Sequence, residues 1–472
     1  MKLMLSAKTL PTITTFTLAI IASLIIISSL KLTFGILVFI LGILFSLNHP
    51  FFLIWIMFFS FILWPYVEYY TKIQLPLGIV FIFMFIIYYV VNFLKSLSKT
   101  QNHLNFTLVD LISIALIFIG LILFLISDDK YFALIGLKEN FKMCFLFLFI
   151  RAIRPNEKDI HNFLSIFLII AIVVSLYGIY QYFFNYYWLI NKVGGISDIS
   201  EKYLGLSTTL KGHLGTKRAY SLFLNSFTLA YYLMISLLII EVRVRRKVLN
   251  NADRFFLISS PILIFCFILT FARSAWVGFV IGSIVLLLVN KNWYAYKRYF
   301  SIMLLTVIFG VIILIFIPKQ LQNTILERML SIFSYDIHQT SAHYEFLRKD
   351  IALTIKHPLG IGLGKATAYI GEVWNESSFF KLTTEMGLIP GLLYVSIFVL
   401  SFHKGLKLYK KVAEPQKELI LITLGVTAAY FVSGFVFPVW MTWFPTMVLW
   451  ILMASLFNIG DDYEKGIINN NC

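Results

Sequence analysis

The 472-residue chain is 60% hydrophobic and only 13% charged, with a mean hydropathy of +0.86, whereas soluble domains carry about a quarter charged residues. This excludes a soluble globular enzyme and predicts an all-α polytopic membrane protein. The formal net charge of +16 is divided among many loops on two faces, which argues against a nucleic-acid surface and for an anionic membrane surface or an anionic lipid-linked substrate as partner.

The apolar runs are long enough to cross a hydrocarbon core of about 30 Å as helices and lack the alternation of barrel strands. Lys2 and Lys8 precede the apolar run from Ile13, and further spans follow directly, so the first helix reads as uncleaved. About fourteen transmembrane helices are predicted, at 12–29, 33–48, 51–67, 77–94, 107–126, 134–152, 162–183, 219–240, 255–271, 275–290, 300–317, 384–402, 418–436 and 441–458. The sixth is interrupted by Lys138, Glu139 and Lys142, which suit a protein interior better than lipid. With this count, the basic clusters around Arg151, Arg243, Lys297 and Lys407 fall on one side, whereas the opposite short loops hold little beyond Lys31, Lys72, Lys130 and Arg273. The positive-inside rule makes the first side cytoplasmic, together with both termini.

Two longer segments then lie outside: a first outer loop at 185–218, and a large outer loop or cap at 318–378. The chain reads as a single membrane domain over 1–472 with this extracytoplasmic cap. Within the cap, Tyr344, Leu347, Ile351 and Ile355 recur at helical spacing, predicting an amphipathic helix on the membrane surface or packed on the bundle. His357-Pro358 should end it. Cys144, Cys266 and Cys472 are too dispersed for a disulfide framework or a CxxC metal site.

Chemistry-bearing residues gather on the predicted outer side. Arg218, Arg273 and Arg348 present charged planar forks suited to phosphate oxygens; snorkelling at span ends is the plainer reading of any one of them. Arg273 has no acid close in sequence to neutralise it. Gly360, Gly362 and Gly364 do not follow a strand and lack the spacing of a dinucleotide fingerprint. They could offer backbone N–H groups to a phosphate, or simply turn the cap back to the membrane. Glu376 is placed to accept a proton from a sugar hydroxyl, or alternatively to cap a helix N-terminus; Glu385, deeper, suits a polar contact inside the bundle. The histidines His213, His338, His343 and His357 show no metal-ligand spacing, so neither metal nor cofactor is expected.

The segments Gly215-Thr-Lys-Arg-Ala-Tyr-Ser-Leu-Phe-Leu-Asn225, Ala272-Arg-Ser-Ala-Trp-Val-Gly278, His357-Pro-Leu-Gly-Ile-Gly-Leu-Gly364 and Asn375-Glu-Ser-Ser through Gly391 occur in an order that resembles the O-antigen polymerase and ligase superfamily. The resemblance covers about 212–391, and the earlier spans only in layout. It implies a GT-C-like, metal-independent membrane glycosyltransferase that uses a polyprenyl-diphosphate-linked glycan at the outer face of the cytoplasmic membrane. In that scheme Arg218 and Arg273 match the diphosphate-holding arginines, with Lys217, His343, Arg348, Asn375 and Glu385 as further substrate-binding positions. The ligase branch usually carries a His-Asn pair where this chain has Asn375-Glu376, so the polymerase branch is the nearer match. His343 stands where the family often has a cap arginine.

The expected reaction is polymerisation of lipid-linked repeat units into a surface polysaccharide. Arg218 and Arg273 would stabilise the departing diphosphate, Glu376 would act as base, and a chain-length regulator is a possible partner. Ligation to a different acceptor uses the same parts. A lipid-glycan transporter is the alternative from another class, but transporters place polar features near the midplane and often in symmetric halves, whereas here they gather at one boundary. A purely structural membrane subunit is a third reading, one that would tolerate loss of Arg273.

Overall fold

The computed structural model describes residues 50–71, 85, 106–184, 218–223, 225–246, 249–290, 319, 322–323, 348–366, 377–441 and 444–466. The predicted spans at 12–29, 33–48 and 300–317, and all but Phe85 of 77–94, lie outside these residues, as do Lys217, His343, Asn375, Glu376 and most of both outer loops. The chain divides into two units, Met1–Leu77 and Gly78–Cys472. In the first, helix α1 (Phe52–Thr71) stacks Trp55 on Phe59.

The described part of the second unit is helical, with no strand among the described residues. It comprises α2 (Leu108–Ile126), α3 (Lys130–Ile153), α4 (Glu157–Phe184), α5 (Ser226–Val244), α6 (Asn251–Leu269), α7 (Arg273–Val289), α8 (Ser378–Met386), α9 (Leu388–Tyr409), α10 (Gln416–Val436) and α11 (Thr446–Glu464). Helices α2, α4, α5, α6, α9 and α10 are long and apolar enough to cross a membrane, which makes this a multi-pass membrane protein. Short polar side chains set where helices begin. Thr107 and Asp110 form a reciprocal capping box at α2, and Asp129, Asn225, Asn250 and Ser377 accept first-turn N–H groups at α3, α5, α6 and α8.

One end of the bundle is held by buried ion pairs. Arg151 near the end of α3 grips Asp110 at the start of α2 with two bonds of 3.0 Å, reaches Asp461 of α11 at 3.0 Å, and donates to Asn458 Oδ1 at 2.6 Å. Beside it, Glu418 at the start of α10 accepts from Arg246 at 2.6 Å, and Arg246 also pairs with Asp253 of α6 at 2.9 Å. Arginine suits these junctions because its fork satisfies several acceptors at once. A buried charge is tolerable only when so surrounded. This is the end where the basic clusters of the sequence fall.

Close packing fixes the middle. Helix α7 lies on α10 through Gly278 and Gly282, where a methyl group would meet Ala429 O and Gly425 O; small residues let backbones approach where lipid supplies no hydrophobic drive between helices. At the opposite end, the Trp440 indole occupies the space beside Gly434 and donates to Tyr430 O at 2.7 Å, while its ring stacks with Tyr394 at 6.0 Å.

Two boundaries differ from the sequence reading. The predicted span 384–402 breaks into α8 and α9 at Gly387, whose φ of 95° ends a right-handed helix. The predicted span from 219 begins as α5 only at Ser226, because Ser221–Phe223 form a 3-10 turn and Asn225 caps the helix.

Candidate functional site

The segments that carry Arg218 and Arg273 are hydrogen-bonded to each other. The Ala219 N–H donates to the Leu269 carbonyl at 2.9 Å, joining the approach to α5 with the turn between α6 and α7. Both sides of this junction hold a non-glycine residue in the left-handed region: Ser221 at φ 50° and Phe271 at φ 51°. Such a conformation costs about 1–2 kcal/mol per residue and persists where the surroundings over-determine it. Ser221 is fixed by its N–H donating to Gln181 Oε1 at 2.9 Å and its hydroxyl donating to Val174 O at 2.6 Å, both on α4. The Thr270 hydroxyl caps the other side by donating to Phe267 O at 2.6 Å.

An aromatic stack carries the junction inward. The buried Arg218 guanidinium lies 5.4 Å from the Phe227 ring centroid, and Phe227 stacks on Phe437 with centroids 4.1 Å apart. Tyr231 also packs on Phe437, at 5.9 Å, and its hydroxyl donates to Ser274 Oγ at 2.8 Å. Ser433 of α10 donates to Ser274 O at 3.1 Å. Phe437 is therefore the hub between the two arginine segments. Arg273 is the first residue of α7, where the positive end of the helix dipole disfavours a cation.

The same hub fastens α8. The Ser378 hydroxyl donates to Phe437 O and accepts the Trp440 N–H, each at 3.0 Å. Ser377 accepts the Phe380 N–H at 3.4 Å and donates to Gly434 O at 3.3 Å. The residue before Ser377 is Glu376, itself outside the described residues.

The glycine run packs against protein backbone. Gly360, Gly362 and Gly364 have φ of 85°, 114° and 81°, which glycine alone adopts readily. Their amides are engaged nearby: Gly360 N–H with His357 O at 2.9 Å, Ile361 N–H with Thr384 O at 2.7 Å, and Gly362 N–H with Glu385 O at 3.2 Å. Gly364 lies against Phe132 O, and its amide faces Gly136 of α3. The run thus wedges between α3 and the α8–α9 break. Glu385 is fully buried beside it, accepting from Asn140 Nδ2 at 2.6 Å and from the Ala366 N–H at 3.2 Å. Arg348 is exposed at the start of helical residues 348–356, and no described contact joins it to Arg218 or Arg273. That helix packs by its polar edge, with Thr354 Oγ1 at 3.1 Å from Thr383 Oγ1, and turns the apolar Ile351 and Ile355 outward. Among the described residues no group of His, Cys, Asp or Glu is arranged to hold a metal ion.

Sequence reasoning passed over Phe227, Tyr231, Phe437 and Gln181, and took in Ser274 only as part of the Ala272–Gly278 segment. Of the four, only Gln181, a polar residue in an apolar run, carried a signal. Residues 258–395 match the O-antigen ligase family model. The matched segment holds Arg273, the glycine run, Glu376 and Glu385, and it supports placing the chain with the O-antigen ligase and polymerase superfamily of glycosyltransferase-like membrane enzymes. Arg218 precedes the O-antigen ligase segment, and the Ala219–Leu269 bond ties it there. No curated protein matches the chain.

Proposed function

We propose that this protein polymerises polyprenyl-diphosphate-linked oligosaccharide repeat units into a surface polysaccharide at the outer face of the cytoplasmic membrane. The observation that carries this reading is the Ala219–Leu269 hydrogen bond, which brings two arginine segments to one end of the bundle, opposite the buried ion pairs. Arg218 and Arg273 hold the donor diphosphate. As the bond from the sugar to the diphosphate breaks, charge develops on the leaving oxygens, and preorganised guanidinium groups stabilise it. Glu376 takes the proton of the attacking hydroxyl of a second lipid-linked glycan. The cap, with the outward Ile351 and Ile355, rests on the membrane and positions the sugars.

The Glu-Ser-Ser sequence at 376–378 favours polymerisation, and ligation of a finished glycan to another acceptor is the second reading. Size separation of lipid-linked and surface glycans from cells with and without the protein tests the choice. Single repeat units accumulating on lipid, with long chains lost, support polymerisation. Long chains stranded on lipid mean ligation, and an unchanged profile refutes both. Glu376→Gln should bind lipid-linked substrate normally and lose turnover; unchanged turnover removes Glu376 as the base.

A further inference from the structure

The segment that bears Arg218 is fastened at two points. Ala219 is tied to the turn before Arg273 by its bond to Leu269 O, and Ser221 is tied to α4 by its N–H to Gln181 Oε1 at 2.9 Å and its hydroxyl to Val174 O at 2.6 Å. Ala219, Tyr220 and Ser221 are wholly buried, so their backbone groups cannot turn to water for a partner. The path of the chain back to Arg218 is therefore set by what α4 presents to Ser221.

The two bonds to α4 differ in kind. The Val174 carbonyl belongs to the helix backbone and is present whatever side chain stands there. The Ser221 N–H opens a 3-10 turn, where it has no amide partner within the turn, and inside a bundle such a group must be answered from elsewhere in the protein. Gln181 answers it from a helix whose buried side is otherwise mostly apolar, as carboxamides do between membrane helices. One turn earlier, at Gly178, α4 lies so close that an added methyl group would meet Ser221 Cβ at 3.3 Å and Cys266 Sγ at 3.0 Å. This approach fixes the gap that the side chain at 181 spans. Asparagine would stop one methylene short, and leucine would fill the gap without an acceptor.

Ser221 needs the hold. Its φ of 50° is one that a serine keeps only where its surroundings enforce it. A turn relaxed to the right-handed region would redirect the chain on its N-terminal side, and Arg218, three residues back, would leave the Phe227 ring that its guanidinium covers at 5.4 Å. We infer that Gln181 is a positioning residue of the donor site: it acts by holding the Ser221 turn, and through that turn it aims Arg218 at the lipid diphosphate. The inference rests on the donor role proposed for Arg218 and adds to it a residue on a helix that carries neither arginine.

The test measures the affinity of the full-length protein, in nanodiscs of phosphatidylcholine, for sugar-free polyprenyl diphosphate, with thermal unfolding confirming that each variant is folded. Arg218→Ala should weaken binding, and Gln181→Leu should weaken it about tenfold. In the double variant the affinity should equal that of Arg218→Ala alone, because the guanidinium through which Gln181 acts is gone. Losses that multiply overturn the inference and leave Gln181 a support of the fold; wild-type affinity in folded Gln181→Leu overturns it as well. Gln181→Asn, which keeps the amide but withdraws it by one methylene, should follow the same cycle with a smaller loss, and it carries the test if Gln181→Leu does not fold. With lipid-linked repeat units as substrate, Gln181→Leu should divide its loss between KM and kcat in the same proportion as Arg218→Ala. A different division overturns the route through Arg218. If Arg218→Ala itself binds the probe as wild type does, the donor reading of Arg218 falls, and this inference with it.

Discussion

Ser378→Ala tests whether the hub holds α8 in place. The wild-type hydroxyl accepts the buried Trp440 N–H and donates to Phe437 O, both at 3.0 Å. The two losses are unequal. Phe437 O keeps a second donor, the Val439 N–H at 2.7 Å, so that loss is about 0.5–1.5 kcal/mol. Trp440 N–H is left buried without its acceptor, at about 1–3 kcal/mol, giving a total of roughly 2–4 kcal/mol. Ser377→Ala is the control, because its bonds are longer, at 3.4 and 3.3 Å, and loss of an N-cap costs about 1 kcal/mol. Thermal unfolding in one detergent should therefore rank wild type above Ser377→Ala, and Ser377→Ala above Ser378→Ala. Polymer formation should fall further in Ser378→Ala than loss of folded protein explains. Equal melting temperatures for Ser378→Ala and wild type would refute the hub as the anchor of α8.

Three further outcomes are expected. Asp110→Ala strips Arg151 of its bidentate partner and Thr107 of its capping box, while leaving Arg151 its bonds to Asp461 and Asn458, and should lower stability by about 2–4 kcal/mol, read by denaturant or thermal unfolding. Gly364→Ala places a methyl group against Phe132 O at a φ of 81° and should cost about 2–4 kcal/mol from left-handed strain and overpacking; exposed Gly466, with open space around it, should tolerate the same change at about 1 kcal/mol. Glu414 lies exposed in the turn before α10, and partial desolvation, followed by the Glu418 charge, raises its carboxyl above its usual value. Its ionised form is thus disfavoured by folding, a cost absent below the unfolded pKa and fully present above the folded one. Glu414→Gln should melt higher than wild type near pH 7, with the advantage vanishing as pH falls below the ordinary carboxylate range.

Length, composition and charge by themselves determined that this chain spans a membrane, because bilayer thickness and the need to satisfy backbone groups internally leave few alternatives. The residue order also placed Arg273 at a span end, where α7 begins, and Glu385 as an internal contact, now seen with Asn140, whereas Arg218 stands ahead of a 3-10 turn, eight residues before α5. The spacing Gly278-Phe-Val-Ile-Gly282 carries in the sequence the small-residue pattern that the close approach of α7 and α10 uses. Only the tertiary structure decided that Ala219 bonds Leu269, that Phe437 joins both arginine segments to α8, and that Asn140 meets Glu385 across 245 residues of chain. Those facts depend on helix rotation and register. A helix in lipid is apolar on the side facing the bilayer as well as on the side facing its neighbours, so its residue pattern does not mark the buried face. Which side chains meet is settled instead by small-residue packing and by backbone strain at turns such as Ser221 and Phe271.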